Sequence, residues 1–215
     1  KVSDTLKLVK QLRELTGAGM MDCKKYLEKS NNNIDDAIKL FRSESGKKAE
    51  KKGSRIAADG IVNFYENANS MIILELNSET DFVAKDQNFI ALAKSVGDDL
   101  LEKNDSDSMK IIEEKINDAI SKLGENIKLR RYLKIDKTNH VYGYSHNNKI
   151  VSTVELKKSD ENLAKDICMQ IVASNPLSID ESSINQDILK SEKEIYKKEL
   201  DKLDKKDDIK RNILE

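Results

Sequence analysis

Asn77-Ser78-Glu79-Thr80-Asp81-Phe82-Val83-Ala84-Lys85-Asp86 joins the most apolar run of the chain to a long helical pattern. Before it, Met71-Ile72-Ile73-Leu74-Glu75-Leu76 is a β-type run; after it, Phe89, Leu92, Ala93, Val96 and Leu100 recur at helical spacing. The decapeptide therefore reads as a strand-to-helix turn, in which Thr80 or Asp81 accepts a hydrogen bond from a free N–H of the first helical turn. Phe82 has two readings on the residues alone. It can staple the turn onto the core, as buried apolar side chains do. It can also stand out beside a carboxylate as an aromatic anchor, the kind of group that dominates binding when it fills a partner's pocket.

Working outward, Ile61 to Tyr65 and Met71 to Leu76 form a hairpin around Asn67-Ala68-Asn69-Ser70. Downstream, one helix is predicted from about Val83 to Lys103, and a second carries Ile112, Ile116, Ile120 and Leu123 and ends at Gly124. Ile127, Leu129, Leu133 and Ile135 then alternate with Lys128, Arg130, Tyr132 and Lys134, as in a strand with one wet face. Arg131 falls on the dry face and needs a carboxylate or carbonyl there, or a place at the sheet margin. His140 to Ser145 and Lys149 to Lys157 make a second hairpin around His146-Asn147-Asn148, where asparagine tolerates positive φ. A helix from about Asp160 to Ser174, striped by Leu163, Ile167 and Ile171, ends before Pro176. From Ser182 the chain is mostly charged, with Ile188, Ile195, Leu200 and Leu203 as a thin seam, a turn at Asp204 to Asp208, and Ile209, Ile213 and Leu214 starting back. That pattern is a helical hairpin cut short.

Upstream lie three short helices. Ser3 or Asp4 can cap the first, which places Leu8, Leu12 and Leu15 on one face with Val9 beside them and ends at Gly17. The second runs from about Gly19 to Lys29 with Met20, Cys23 and Leu27 in register, and the third starts at Asn33 with Ile34, Ala37, Ile38 and Phe41 as its stripe. Adjacent Met20 and Met21 cannot face one core together, so one of them is expected on the surface. Ser43 to Arg55, with Lys47, Lys48, Lys51 and Lys52 between Gly46 and Gly53, reads as a basic linker.

Composition narrows the function. Among 215 residues, 38 basic side chains face 39 acidic ones, so no global field drives the chain onto nucleic acid and partners must be recognised locally. Cys23 and Cys168 lack metal spacing and read as two reduced thiols. No apolar run reaches the roughly 20 residues of a membrane span, and the start has no signal-peptide pattern, so a soluble protein is expected. No Walker-type loop, zinc spacing or serine, histidine and acid set is present, which argues against an enzyme and against a metal site or cofactor. His140 and His146 read as isolated surface or turn residues. The competing class is an RNA- or ribosome-binding module using the basic linker and a base-stacking platform of Tyr132, Tyr142 and Tyr144.

Two separated motifs go further: Leu12-Arg13-Glu14-Leu15-Thr16-Gly17-Ala18-Gly19-Met20-Met21-Asp22-Cys23-Lys24-Lys25, and the decapeptide with Thr80-Asp81-Phe82-Val83-Ala84-Lys85-Asp86 at its heart. Both resemble the elongation factor Ts family, as do Ala57-Ala58-Asp59-Gly60, Gly124-Glu125-Asn126-Ile127, Arg130-Arg131, Tyr144 and His146. The resemblance implies an α+β protein. It would have an N-terminal three-helix bundle like a ubiquitin-associated domain (1–45), the basic linker (46–56), a core of two small antiparallel α+β halves (57–137 and 138–181), and a helical hairpin or coiled-coil segment (182–215). It implies a guanine-nucleotide exchange factor for elongation factor Tu that makes no covalent bond, needs no cofactor and binds no nucleotide directly. By matching positions, Thr80, Asp81, Phe82 and Val83 would form an intruding tip, Arg13, Met20 and Met21 would touch the GTPase domain, and Gly124 and His146 would lie at further contacts. Family members usually continue into a last core segment and terminal helix, so the second half is expected to be incomplete at Glu215. The seam beyond Ile188 could pair two copies or cover its own hairpin. A bacterial cytoplasm and an organellar matrix or stroma are both open.

Overall fold

The computed structural model describes residues 2–102 and 105–201. The chain divides into two compact units, residues 1–172 and 173–215.

The first unit begins with helices α1 (Val2–Thr16), α2 (Met20–Lys29) and α3 (Ile34–Lys52). They bury Val9, Leu12, Cys23, Leu27 and Ala37 around an edge-to-face pair of Tyr26 and Phe41 whose ring centroids are 5.8 Å apart. Gly17 ends α1 at φ +68°, and Asn33 caps α3 by accepting the Asp36 N–H at 3.2 Å. α1 already starts at Val2, so Ser3 and Asp4 lie within it. Leu15, expected on the inner face, is exposed; Thr16 takes that side instead, bonding the Leu12 carbonyl at 2.7 Å. The expected linker is also different. α3 continues through Gly46 to Lys52, because Ala49 finds a place in the next core beside Ile120. Burial there outweighs the roughly 1 kcal/mol that glycine costs inside a helix.

Strands β1 (Asp59–Glu66), β2 (Ser70–Ser78) and β3 (Lys128–Asp136) form an antiparallel sheet in the order β1-β2-β3. Between β2 and β3 come α4 (Asp81–Ala84), α5 (Gln87–Glu102) and α6 (Asp105–Leu123). The apolar face of the sheet, with Ile61, Ile72, Leu74 and Leu76, packs on Phe89, Ala93, Val96 and Leu100 of α5 and on Ile112 and Ile120 of α6. The single helix expected from Val83 is split. α4 closes at Lys85, and the Asp86 carboxylate accepts the Asn88 N–H at 2.7 Å to start α5 afresh. In β3 the alternation slips. Glu75 faces Arg131 while Leu76 faces Leu129, so Arg130 is an extra residue in a bulge. Leu129 and Tyr132 therefore share the core side, and Leu133 is 58% exposed. Arg131, expected on the dry face, is instead on the edge strand with its side chain 78% exposed; Glu75 accepts its Nε–H at 2.7 Å and an Arg130 Nη1–H at 3.4 Å.

β4 (His140–His146) and β5 (Ile150–Leu156) form a second, two-stranded antiparallel sheet, with Asn147 and Asn148 at φ +53° and +54° in the turn. That turn is fastened to β1: the Asn148 carbonyl accepts the Val62 N–H at 2.8 Å, and Lys149 donates to the Gly60 carbonyl at 2.8 Å and to Asp59. α7 (Glu161–Ser174) follows. It buries Ala164 and Cys168 rather than Leu163, and the Cys168 carbonyl accepts the Ser152 hydroxyl at 2.9 Å. Small residues allow the helix to approach the hairpin closely, which moves its buried stripe one position from the one read off the large side chains.

In the second unit a single 3-10 turn, Glu181–Ser183, precedes α8 (Gln186–Asp201), along which Ile188 and Ile195 are partly exposed. The expected turn at 204–208 and the returning arm fall outside the described residues. The fold is thus mixed α and β with two small antiparallel sheets, and among the described residues no helix is long and apolar enough to cross a membrane.

Candidate functional site

In the turn after β2, the N–H groups of Glu79, Thr80, Val83, Ala84, Lys85 and Asp86 all find acceptors. Thr80 is extended (φ −127°, ψ 159°), and its hydroxyl accepts the Val83 N–H at 3.4 Å, so it is Thr80 that caps α4. Upstream, the buried Ser78 hydroxyl donates to the Thr80 carbonyl at 2.9 Å. The strand ladder has ended here, leaving the Glu79 and Thr80 N–H groups without strand partners. Both are taken by one oxygen of Glu125, at 3.1 and 3.0 Å, while the other Glu125 oxygen accepts the Thr80 hydroxyl at 2.6 Å. In return the Glu79 carboxylate accepts the Asn126 N–H at 2.7 Å and pairs with Arg55 at 3.5 Å.

On this base, successive side chains of α4 point in different directions. Val83 packs against the core and Ala84 is buried, whereas Phe82 is 83% exposed. Of the two readings open for Phe82, the exposed one is observed. Asp81 beside it is bonded by Lys85 Nζ at 2.7 Å, and that hydrogen bond, together with the charge of Asp81, raises the Lys85 pKa. The tip thus offers an aromatic ring next to a carboxylate and an ammonium.

The remaining candidates lie elsewhere. Arg13 is exposed in the last turn of α1. Met20 is 46% exposed and Met21 76%, so both methionines, rather than one, stand on the surface of α2. Gly124, at φ +83°, receives Lys52 Nζ on its carbonyl at 2.6 Å and adjoins the tip through Glu125. His146 ends β4, its ring 3.2 Å from the Tyr144 hydroxyl and 3.2 Å from the Asn147 side-chain nitrogen. The turn that bears it reaches the tip through β1, since Lys149 bonds Asp59 and the Asp59 carbonyl accepts the Asn77 side-chain N–H at 2.9 Å. The three tyrosines do not make one stacking platform: Tyr132 packs on the core from β3, while Tyr142 and Tyr144 stand on the second sheet. Among the described residues no group of three His, Cys, Asp or Glu is arranged to hold a metal ion.

Sequence reading assigned no contact to Glu79, Glu125 or Asn126. Glu79 lies in the decapeptide and Glu125 and Asn126 in the Gly124-Glu125-Asn126-Ile127 motif, and no local spacing rule joins segments 45 residues apart.

Comparison with known proteins gives a consistent result. The sequence profile of the family described as Elongation factor TS matches residues 79–215. Elongation factor Ts of Thioalkalivibrio sulfidiphilus is 40% identical over 89% of this chain and 70% of its own. Those of Xanthomonas campestris pv. campestris and Xanthomonas oryzae pv. oryzae are each 41% identical over 96% of this chain and 73% of their own.

Proposed function

Because this chain belongs to the elongation factor Ts family and so to the translation elongation factors, we propose that it is a guanine-nucleotide exchange factor that speeds GDP release from elongation factor Tu. The observation that carries this reading is Phe82, a large ring 83% exposed on a turn bonded through the Glu79, Thr80 and Val83 N–H groups. A free ring in water costs free energy, and a pinned one is already ordered for binding, so little of its contact energy is spent on immobilising it. Exchange then follows from linkage. A partner that binds the nucleotide-free GTPase more tightly than the GDP-loaded one must weaken GDP binding by the same factor. Phe82 enters an apolar pocket of the GTPase near its Mg²⁺ and phosphates, and Asp81 brings a carboxylate close to the phosphate loop, so that metal and phosphate lose pre-arranged ligands. Arg13, Met20 and Met21 serve as a second foothold on the GTPase, with Gly124 and His146 at further contacts. The exposure of both methionines supports this, since flexible thioethers suit an adaptable surface.

The test is the release of fluorescently labelled GDP from purified elongation factor Tu. The wild-type chain should accelerate it. Phe82→Ala should cut the acceleration roughly 30-fold, the loss of an anchor contributing about 2 kcal/mol. An unchanged rate with Phe82→Ala overturns the reading. So does a chain that leaves GDP release alone and instead retains RNA with steep salt dependence.

A further inference from the structure

We infer that Glu125 is the positioning residue of this site: its carboxylate sets the Phe82 turn from a separate loop and ties it to the foot of α3, so that exchange depends on it although it does not touch the GTPase. The inference rests on the exchange-factor reading above.

A one-turn helix has no intrinsic stability, because the first turn fixes several dihedrals for a single hydrogen bond. α4 has four residues, Asp81–Ala84, and its apolar anchorage is limited to Val83 and Ala84. Left to itself it would sample many orientations, and Phe82 would have to be ordered again at each encounter. Glu125 removes that freedom. Its two oxygens take three donors, the Glu79 and Thr80 N–H groups and the Thr80 hydroxyl. Because the Thr80 hydroxyl gives its proton to Glu125, its lone pair is free to cap Val83. One carboxylate therefore fixes both the exit from β2 and the entry to α4.

The same loop is bonded on its other side to the end of α3. Lys52 donates to the Gly124 carbonyl at 2.6 Å, and the Asn126 side chain donates to the Arg55 carbonyl at 2.7 Å. Arg55 in turn pairs with Glu79 at 3.5 Å. Residues 124–126 thus bridge the helix that carries the three-helix bundle to the turn that carries Phe82. The distance between two proposed contact surfaces is held by this loop. A glutamine at 125 keeps the size of the side chain but has one acceptor oxygen where three donors converge, so at least one donor faces an NH₂ group.

The experiment compares wild type, Glu125→Gln, Thr80→Val and the double variant, with Glu113→Gln on the exposed side of α6 as a control. Amide hydrogen exchange on the free protein follows residues 79–84; labelled-GDP release from elongation factor Tu is measured as a saturation curve. Glu125→Gln should raise the exchange rates of the Glu79, Thr80 and Val83 amides at least tenfold relative to those of α5, and lower the maximal release rate about tenfold with the half-saturating concentration changed much less. A general loss of packing would instead speed exchange throughout α5. Thr80→Val should act in the same direction, and the double variant should be no worse than the poorer single one, since both cut one network. If Glu125→Gln does not fold, Thr80→Val carries the same comparison. Wild-type release by Glu125→Gln, with Phe82→Ala impaired, overturns this inference alone. Unchanged amide exchange at Glu79 and Thr80 also overturns it. A wild-type chain that does not speed GDP release removes the functional reading and this inference with it.

Discussion

Two phenylalanines seven positions apart should respond to truncation in opposite ways. Phe82 is 83% exposed and Phe89 is 0% exposed. An aromatic side chain buries on the order of 200 Å² when fully enclosed, and about a sixth of that is covered at Phe82. At about 25 cal/mol per Å², Phe82→Ala should cost under about 1 kcal/mol. Phe89 packs among Ala93, Val96 and the sheet residues Leu74 and Leu76, so Phe89→Ala leaves a cavity and should cost about 3 to 5 kcal/mol. For a unit of this size each kcal/mol moves the melting temperature by roughly 2 to 4 °C. Thermal unfolding followed by circular dichroism should therefore place Phe82→Ala close to wild type and Phe89→Ala lower by about 10 °C. In labelled-GDP release the order should reverse: Phe82→Ala should be folded but roughly 30-fold weaker, while Phe89→Ala should be active per folded molecule at a temperature where it remains folded. If Phe82→Ala melts with Phe89→Ala, the ring belongs to its own core and the argument for an anchor is wrong.

Further predictions follow from the β1 strand and its neighbours. A Cβ on Gly60, which sits at φ +137°, would overlap the Leu76 carbonyl and lie 2.6 Å from Asn77 Cα, so Gly60→Ala should cost about 3 kcal/mol or more and lower both the melting temperature and GDP release; a melting temperature within 2 °C of wild type, by about the precision of such a scan, would refute the clash. The carboxyl of Asp59 is held below its ordinary value of 3.8 first by the hydrogen bond from Lys149 and then by that from the Gly60 N–H. Its contribution to stability is thus complete above the unfolded value and is lost as the pH falls through the lower folded one, so urea midpoints should drop less between pH 5 and pH 3, about the range of carboxylate titration, in Asp59→Asn than in wild type. Burial, aided by the charge of Asp98, pushes the Tyr65 phenol up to about 12 from an ordinary 10. The neutral phenol stabilises fully below the unfolded value and this is lost as the pH rises through the folded one, so Tyr65→Phe should flatten part of the alkaline fall in urea midpoint between those limits.

What was legible in the sequence was local. Asn33 as a cap, Asn147 and Asn148 at positive φ, and Thr80 at the mouth of α4 follow from chemistry within four residues, and all are observed. The differences have distant causes. The lysine-rich stretch after Phe41 has too few large apolar residues to read as a helix, yet Ala49 extends α3 because α6 is there to receive it. The slip at Arg130 cannot be seen in β3 itself, since Arg130 and Arg131 both turn to Glu75 on the neighbouring strand. Phe82 shows the same limit at the site. Its neighbours permit a staple or an anchor, for both begin from a capped turn. Successive residues of a helix are rotated by about 100°, so once Val83 and Ala84 face the core Phe82 has no room beside them. What orients the turn is Glu125, brought to it by the return of the chain through α6. The exposed ring is therefore a property of the tertiary fold: the decapeptide supplies the ring, and the core under Val83 and Ala84 together with a loop 45 residues away holds the turn that presents it.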